Sequence, residues 1–294
     1  MKIESSSHVV SAPDGLRLHV RVYPARRESG ALPVVCLPGL SRNGNDFDLL
    51  AEALARRLHK PRRVLAIDLR GRGLSEYDRK PANYSLPIEL RDVTAILTAL
   101  AAEPAIFVGT SRGGILTMLL AALRPTAVAG AVFNDIGPVI ESKGVMRIKG
   151  YVGKLPQPRT IEEGAEILRR LFSAQFTRFT PEDWTDQARR NWRVEDGKLL
   201  LSYDPALAKT LADTDFDRPL PALWAQFDAL PNVPLMVIRG EHSDILSPET
   251  FGAMIARRPD LTAIEIDGEG HAPRLEGELV AQIAAFAEQC DRVR

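Results

Sequence analysis

Three residues far apart in the chain, Ser111, Asp244 and His271, each follow an apolar run in a polar or glycine-bearing loop, and their types could together do nucleophilic chemistry. Serine is a weak nucleophile unless a base takes its proton, and that base needs a third group to fix its tautomer and stabilise its charge. Ser111 lies in Gly109-Thr110-Ser111-Arg112-Gly113-Gly114. On a strand-to-helix turn, a G-x-S-x-G pattern holds the serine in a strained backbone conformation with its hydroxyl projecting above the sheet edge. The surroundings fit such a turn. Pro104 to Val108 is a short apolar run, and Ile115, Leu116, Leu119, Leu120 and Leu123 recur at helical spacing until Arg124-Pro125 ends the helix. By itself the motif could equally be a glycine-rich turn with Ser111 as an N-cap, so its partners carry the case.

His271, in Gly268-Glu269-Gly270-His271-Ala272-Pro273 after the last strand-like run, is the expected base. The other histidines fit less well: His8 and His19 lie in an N-terminal hairpin, His59 ends a surface helix, and His242 is close to the acid. Two aspartates just past strand ends compete for the orienting role, Asp135 and Asp244. The order Ser111, Asp244, His271 matches the nucleophile, acid, histidine order of sheet-based hydrolases, and loops after adjacent final strands should lie side by side, so Asp244 is expected as the acid. Asp135 is expected near Ser111, where it could pair with Arg112.

Acyl transfer places negative charge on the former carbonyl oxygen, which calls for preorganised N–H donors beside Ser111. The expected donors are the backbone N–H of Arg112, at the positive end of the following helix, and that of Leu40 in Pro38-Gly39-Leu40-Ser41. The Arg112 side chain opposes the helix dipole and so should have an acidic partner. Either a carboxylate such as Asp135, Asp46 or Asp48 supplies it, or a substrate carboxylate does.

These loops need a scaffold, and the chain supplies an α/β pattern, a mostly parallel doubly wound sheet with an inserted helical cap. Ser7 to Ser11 and Leu16 to Tyr23 read as a hairpin, and Pro33 to Leu37 and Arg63 to Ile67 as buried strands around a helix from about Asp46 to Leu58. A helix from about Pro87 to Ala101 precedes the strand before Ser111, and Val128 to Phe133 is the strand after it. Alternation stops at Pro138 and resumes with Pro234 to Arg239 and Thr262 to Ile266. The expected division is therefore a core of residues 1–137 and 231–294 with a cap of residues 138–230. That cap contains all three tryptophans, together with Phe172, Phe176 and Phe179, which could form an apolar pocket or the cap's own core. No clear buried strand is evident within it.

Composition excludes several classes. Among 294 residues, 38 Lys and Arg balance 38 Asp and Glu, so no basic surface is expected for nucleic acid. No run approaches the roughly 20 apolar residues that span a bilayer. The N-terminus lacks a signal core, which implies a cytoplasmic protein. Cys36 and Cys290 have no paired spacing, and no histidines are spaced as ligands, so neither a disulfide framework, a metal nor another cofactor is implied.

Together, Leu37-Pro38-Gly39, Asp68-Leu69-Arg70-Gly71-Arg72-Gly73-Leu74-Ser75, the Ser111 turn, Gly240 to Asp244 and Gly270-His271 resemble the α/β-hydrolase superfamily, in its serine-nucleophile branch. Two departures stand out: Pro38 where many relatives have histidine, and the cation Arg112 after the nucleophile, where Met, Gln or Leu is frequent. The resemblance implies hydrolysis of a small to medium carboxylic ester through an acyl-enzyme. Lactone, thioester or C–C hydrolysis on the same residues is the alternative, C–C cleavage being disfavoured by Ala272 where such relatives often have Trp. A slow-turnover ligand-binding sensor is an alternative of another class.

Overall fold

A computed structural model describes residues 4–212, 215 and 220–293. Met1-Lys2-Ile3, part of the N-terminus read as lacking a signal core, lie outside the described residues, as do 213–214 and 216–219 of the expected cap.

The chain begins with β1 (Ser6–Ser11), β2 (Arg17–Tyr23), β3 (Val34–Leu37), α1 (Asp48–Arg56), β4 (Val64–Ile67), α2 (Leu86–Ala99), β5 (Ala105–Thr110), α3 (Arg112–Leu123) and β6 (Val128–Asn134). An inserted stretch follows, with α4 (Ser142–Tyr151), α5 (Ile161–Phe172), α6 (Pro181–Asn191), β7 (Trp192–Glu195), β8 (Lys198–Leu201) and α7 (Trp224–Asp228). The chain then returns through β9 (Leu235–Gly240), α8 (Pro248–Arg257), β10 (Thr262–Ile266) and α9 (Glu278–Cys290). Eight strands form one sheet in the order β1-β2-β4-β3-β5-β6-β9-β10. β1 and β2 pair antiparallel, as do β2 and β4, and the remaining neighbours are parallel. This is the mostly parallel α/β sheet expected from the sequence.

The short apolar runs are central strands because both of their faces are covered. Alternate side chains point to opposite faces, so Val35, Leu37, Leu65, Ile67 and Phe107 pack with Val93, Ile96, Leu116 and Leu120 of α2 and α3. Val34, Cys36, Val64, Ala66, Ile106 and Val108 pack on the other face with Leu50 and Leu54 of α1 and Ile283 and Phe286 of α9. Fully burying one such side chain contributes about 1.5–3 kcal/mol. The sheet is thereby a rigid platform for the loops at the carboxyl ends of its parallel strands.

At the turn between β5 and α3 the backbones approach closely. A Cβ on Gly113 would lie 2.0 Å from the carbonyl oxygen of Leu37, and one on Gly109 would lie 2.6 Å from the Gly113 backbone. The helix can therefore start directly behind the nucleophile strand only with glycine at these places.

The inserted stretch is not wholly helical. β7 and β8 form an antiparallel hairpin around Asp196-Gly197, both at positive φ (48° and 73°). That is the conformation two-residue hairpin turns favour. Each strand buries a single residue, Trp192 and Leu199, so the pair lacks the buried apolar run that marked the core strands, and only the Asp-Gly pair signalled it. Trp184 and Trp192 are buried with Leu168 and Leu199 in a separate apolar cluster, against which Phe172, Phe176 and Phe179 pack. Trp224 lies elsewhere, against Phe227 and under the guanidinium of Arg257. No helix among the described residues is long and apolar enough to cross a membrane.

Gly113→Ala should lower stability by about 1–3 kcal/mol or more through overpacking against backbone that cannot yield. Gly252→Ala, in the interior of α8 with open space around it, should instead be neutral or stabilise by up to about 1 kcal/mol. Thermal unfolding of the two variants measures the contrast.

Candidate active site

Ser111 sits between β5 and α3 with φ 51° and ψ −115°, the strained conformation expected of a residue projecting from a tight strand-to-helix turn. Its backbone N–H donates to the Asn134 carbonyl at 3.0 Å, tying the turn to the end of β6. Its hydroxyl lies 2.9 Å from Nε2 of His271. Nδ1 of His271 lies 2.7 Å from Oδ2 of Asp135. With Nδ1–H donating to the carboxylate, Nε2 is left as the acceptor for the serine proton. Asn134 Nδ2 donates to the Pro273 carbonyl at 2.9 Å, which brings the histidine loop back across the end of β6.

The expected acid is corrected: Asp135, not Asp244, faces His271. Asp135 directly follows β6, is fully buried, and has φ 54°. Its Oδ1 accepts from Gly240 N–H at 2.8 Å, and its Oδ2 accepts from the Ser243 hydroxyl at 2.6 Å as well as from His271. Asp244 instead accepts two hydrogen bonds from Arg147 of α4, at 2.6 and 2.8 Å. Burial pushes its carboxyl pKa up, but bonds from Arg147 and Gln175 outweigh this and leave it lowered. α4 rests directly on this residue, since a Cβ on Gly144 would lie 2.3 Å from the Asp244 carbonyl oxygen.

Chain order could not separate the two, because both aspartates lie between Ser111 and His271. Register does. β6 is hydrogen-bonded to β5 on one side and β9 on the other, so the residue that ends it stands beside both the serine turn and the loop after β9. The loops after β9 and β10 do run together as expected, through His242 N–H to the Glu269 carbonyl and Gly268 N–H to the Glu241 carboxylate. They do so without placing Asp244 on the imidazole.

Gly39 packs against Ser111, where a Cβ would lie 3.7 Å from the serine Cβ, so the Leu40 loop borders the hydroxyl as expected. Arg112 is the first residue of α3. Among the described residues, neither the Leu40 nor the Arg112 N–H has an acceptor.

The Arg112 side chain does have an acidic partner, but none of those expected. Its Nε donates to Glu89 of α2 at 2.5 Å and its Nη2 to the Tyr84 carbonyl at 3.1 Å. Asp46 pairs with Arg42, and Asp48 with Arg21 and Tyr23. Glu89 is fully buried and also accepts from Arg72 at 2.6 Å, while Arg72 Nε donates to the Leu40 carbonyl at 2.8 Å. One carboxylate thus ties together both loops that flank the serine. Burial raises the Glu89 pKa, but its two guanidinium neighbours more than offset this and hold it low. The sequence carried a signal: Glu89 precedes Val93 by four residues and so falls on the apolar stripe of its helix, where a charge requires a buried partner.

A cavity partly open to solvent lies over Ser111 and His271. Ile148, Tyr151, Leu168, Phe172, Phe176, Phe179 and Trp184 of the inserted stretch line it. The three phenylalanines therefore serve both roles left open by the sequence, packing on the inserted cluster and facing the cavity.

The fold agrees with comparisons to known proteins. The chain belongs to the alpha/beta hydrolase family, whose profile matches residues 34–283. It is 35% identical over 252 residues, 82% of each chain, to a 3-hydroxybutyrate-oligomer hydrolase of Cupriavidus necator. A solved alpha/beta hydrolase from Novosphingobium aromaticivorans superposes with a TM-score of 0.86 at 38% identity, covering 97% of this chain and 99% of that one. A putative hydrolase from Rickettsia typhi superposes with a TM-score of 0.82 at 26% identity, covering 98% and 99%.

Glu89→Gln should cost about 3–5 kcal/mol, because it leaves the buried guanidinium of Arg72 and the part-buried one of Arg112 sharing a neutral partner. Since the folded-state pKa of Glu89 is lowered, its stabilisation is present above the unfolded-state pKa and lost as pH falls through the folded-state value. Denaturant unfolding of wild type and variant should therefore differ most at neutral pH and converge in acid.

Proposed function

We propose that the protein is a serine hydrolase that cleaves a small to medium carboxylic ester through an acyl-enzyme on Ser111. The observation that carries this is the continuous hydrogen-bond chain from the Ser111 hydroxyl through His271 to the buried carboxylate of Asp135. Nε2 of His271 takes the hydroxyl proton as Oγ bonds to the ester carbonyl carbon. Asp135 holds the ring in the required tautomer and stabilises the imidazolium that forms. The N–H groups of Leu40 and Arg112 receive the oxyanion. His271 then gives its proton to the departing alkoxide, and a water activated by the same nitrogen hydrolyses the acyl-enzyme and regenerates Ser111.

Residues 138–230 act in this scheme as a cap whose aromatic side chains exclude water and hold the apolar part of the substrate. The Cupriavidus necator relative, by its name, acts on 3-hydroxybutyrate oligomers, which supports a short hydroxyacid ester as the substrate class. The chemistry needs no cofactor.

A fluorophosphonate should label Ser111, and Ser111→Ala should abolish both labelling and ester turnover. Peptide mapping of the label to another serine would overturn the assignment. Asp135→Asn should lower kcat by roughly 10⁴-fold by stabilising the wrong tautomer, whereas Asp244→Asn should cost about tenfold or less. Steady-state kinetics of the two variants on a p-nitrophenyl ester rank them.

A further inference from the structure

Polar side chains gather at one corner of the cavity over Ser111, where α6 meets the loop after β3. Trp184, Gln187, Arg190 and Asn191 all line the cavity, and their spacing of three, three and one places them on one face of α6. Arg42 donates to the side-chain oxygen of Gln187 at 3.1 Å, so this face is fastened to the same loop that carries Leu40. Asn43 adds a bond from its Nδ2 to the Arg190 backbone carbonyl at 3.4 Å.

The charges at this corner do not balance. Arg42 is neutralised by Asp46, with bonds of 2.8 and 2.5 Å. Across the cavity Arg274 is met by Asp183, Glu269 and Glu276. Arg190, half-buried, makes no side-chain hydrogen bond or ion pair among the described residues. Its neighbour Arg189, on the outer face, pairs with Asp186 in solvent. A position in the last turn of α6 favours a cation, but that requirement is met by Arg189 as well and does not explain a half-buried arginine lining the cavity without a counter-ion. A guanidinium partly withdrawn from water recognises a carboxylate by charge-assisted, often bidentate hydrogen bonds.

We propose that Arg190 is the subsite for a substrate carboxylate, so that the preferred substrates are esters bearing a free carboxylate away from the scissile bond. This rests on the reading of Ser111 as the nucleophile and specifies its substrate class. The cation read from the sequence as a possible carboxylate anchor, Arg112, is engaged by Glu89, and Arg190 takes that place.

The test compares anionic esters with their neutral carboxamide isosteres in two series. Hemiesters of succinate, glutarate and adipate place the charge on the acyl side, and 3-acyloxybutanoates place it on the alcohol side. Wild type should favour the carboxylate in at least one series by roughly 10- to 100-fold in kcat/KM, mainly through KM. Arg190→Gln should collapse that ratio towards one, Arg190→Lys should retain part of it, and Arg189→Gln should leave it unchanged. Binding of the same pairs to Ser111→Ala by calorimetry gives the preference without turnover. A wild-type ratio near one in both series, or a ratio that survives Arg190→Gln, overturns the carboxylate subsite. Hydrolysis by wild type that persists in Ser111→Ala overturns the nucleophile instead, and the calorimetric ratio still decides the role of Arg190.

Discussion

The carboxylate of Asp135 is buried at the point where three chain segments meet, and the geometry above the sheet depends on it. It accepts hydrogen bonds from His271, from the Gly240 N–H at the end of β9 and from the Ser243 hydroxyl just beyond. A buried carboxylate without partners is strongly disfavoured, so its three donors are held as firmly as the charge itself. The imidazole that reaches Ser111 is thereby fixed in direction by groups that belong to strand ends rather than to mobile surface.

On the other side of the serine, Glu89 has a comparable role. It joins Arg72, which grips the Leu40 carbonyl, to Arg112, the first residue of α3. Such a buried arrangement contributes little net stability compared with an apolar substitute, while removal of one member is costly. Its value lies in holding two backbone segments at fixed separation around the hydroxyl. The nearby Asp68-to-Ser75 segment is secured in the same manner, with Arg70 held by Asp92, Asp78 and Asp14.

The inserted stretch is joined to the sheet in two ways. Ile148 and Val152, at the end of α4, merge with the main core, whereas α5, α6 and the hairpin enclose their own apolar cluster. Between that cluster and the sheet loops run polar links: Arg147 to Asp244, Arg274 to Asp183, and Arg42 to Gln187. Asp244 thus belongs to the attachment of the stretch. The cavity between the two apolar bodies is consequently lined by aromatic rings on one side and by Ser111 and His271 on the other.

What the sequence alone determined was local: the period of apolar residues, the glycines required where α3 meets β3, and the types of residue able to act as nucleophile and base. Those features depend on a few adjacent residues, and the sheet, the Ser111 turn and His271 all followed from them. The identity of the aspartate did not, because Asp135 and Asp244 are equivalent in chain order and differ only in which strand they end. Parallel pairing of β6 between β5 and β9 brought Asp135 to the imidazole, while packing of α4 drew Asp244 to Arg147. The partners of Arg112 and the isolation of Arg190 were decided in the same way, since a charge is neutralised by whatever carboxylate the folded chain brings within a few ångströms, however distant in sequence.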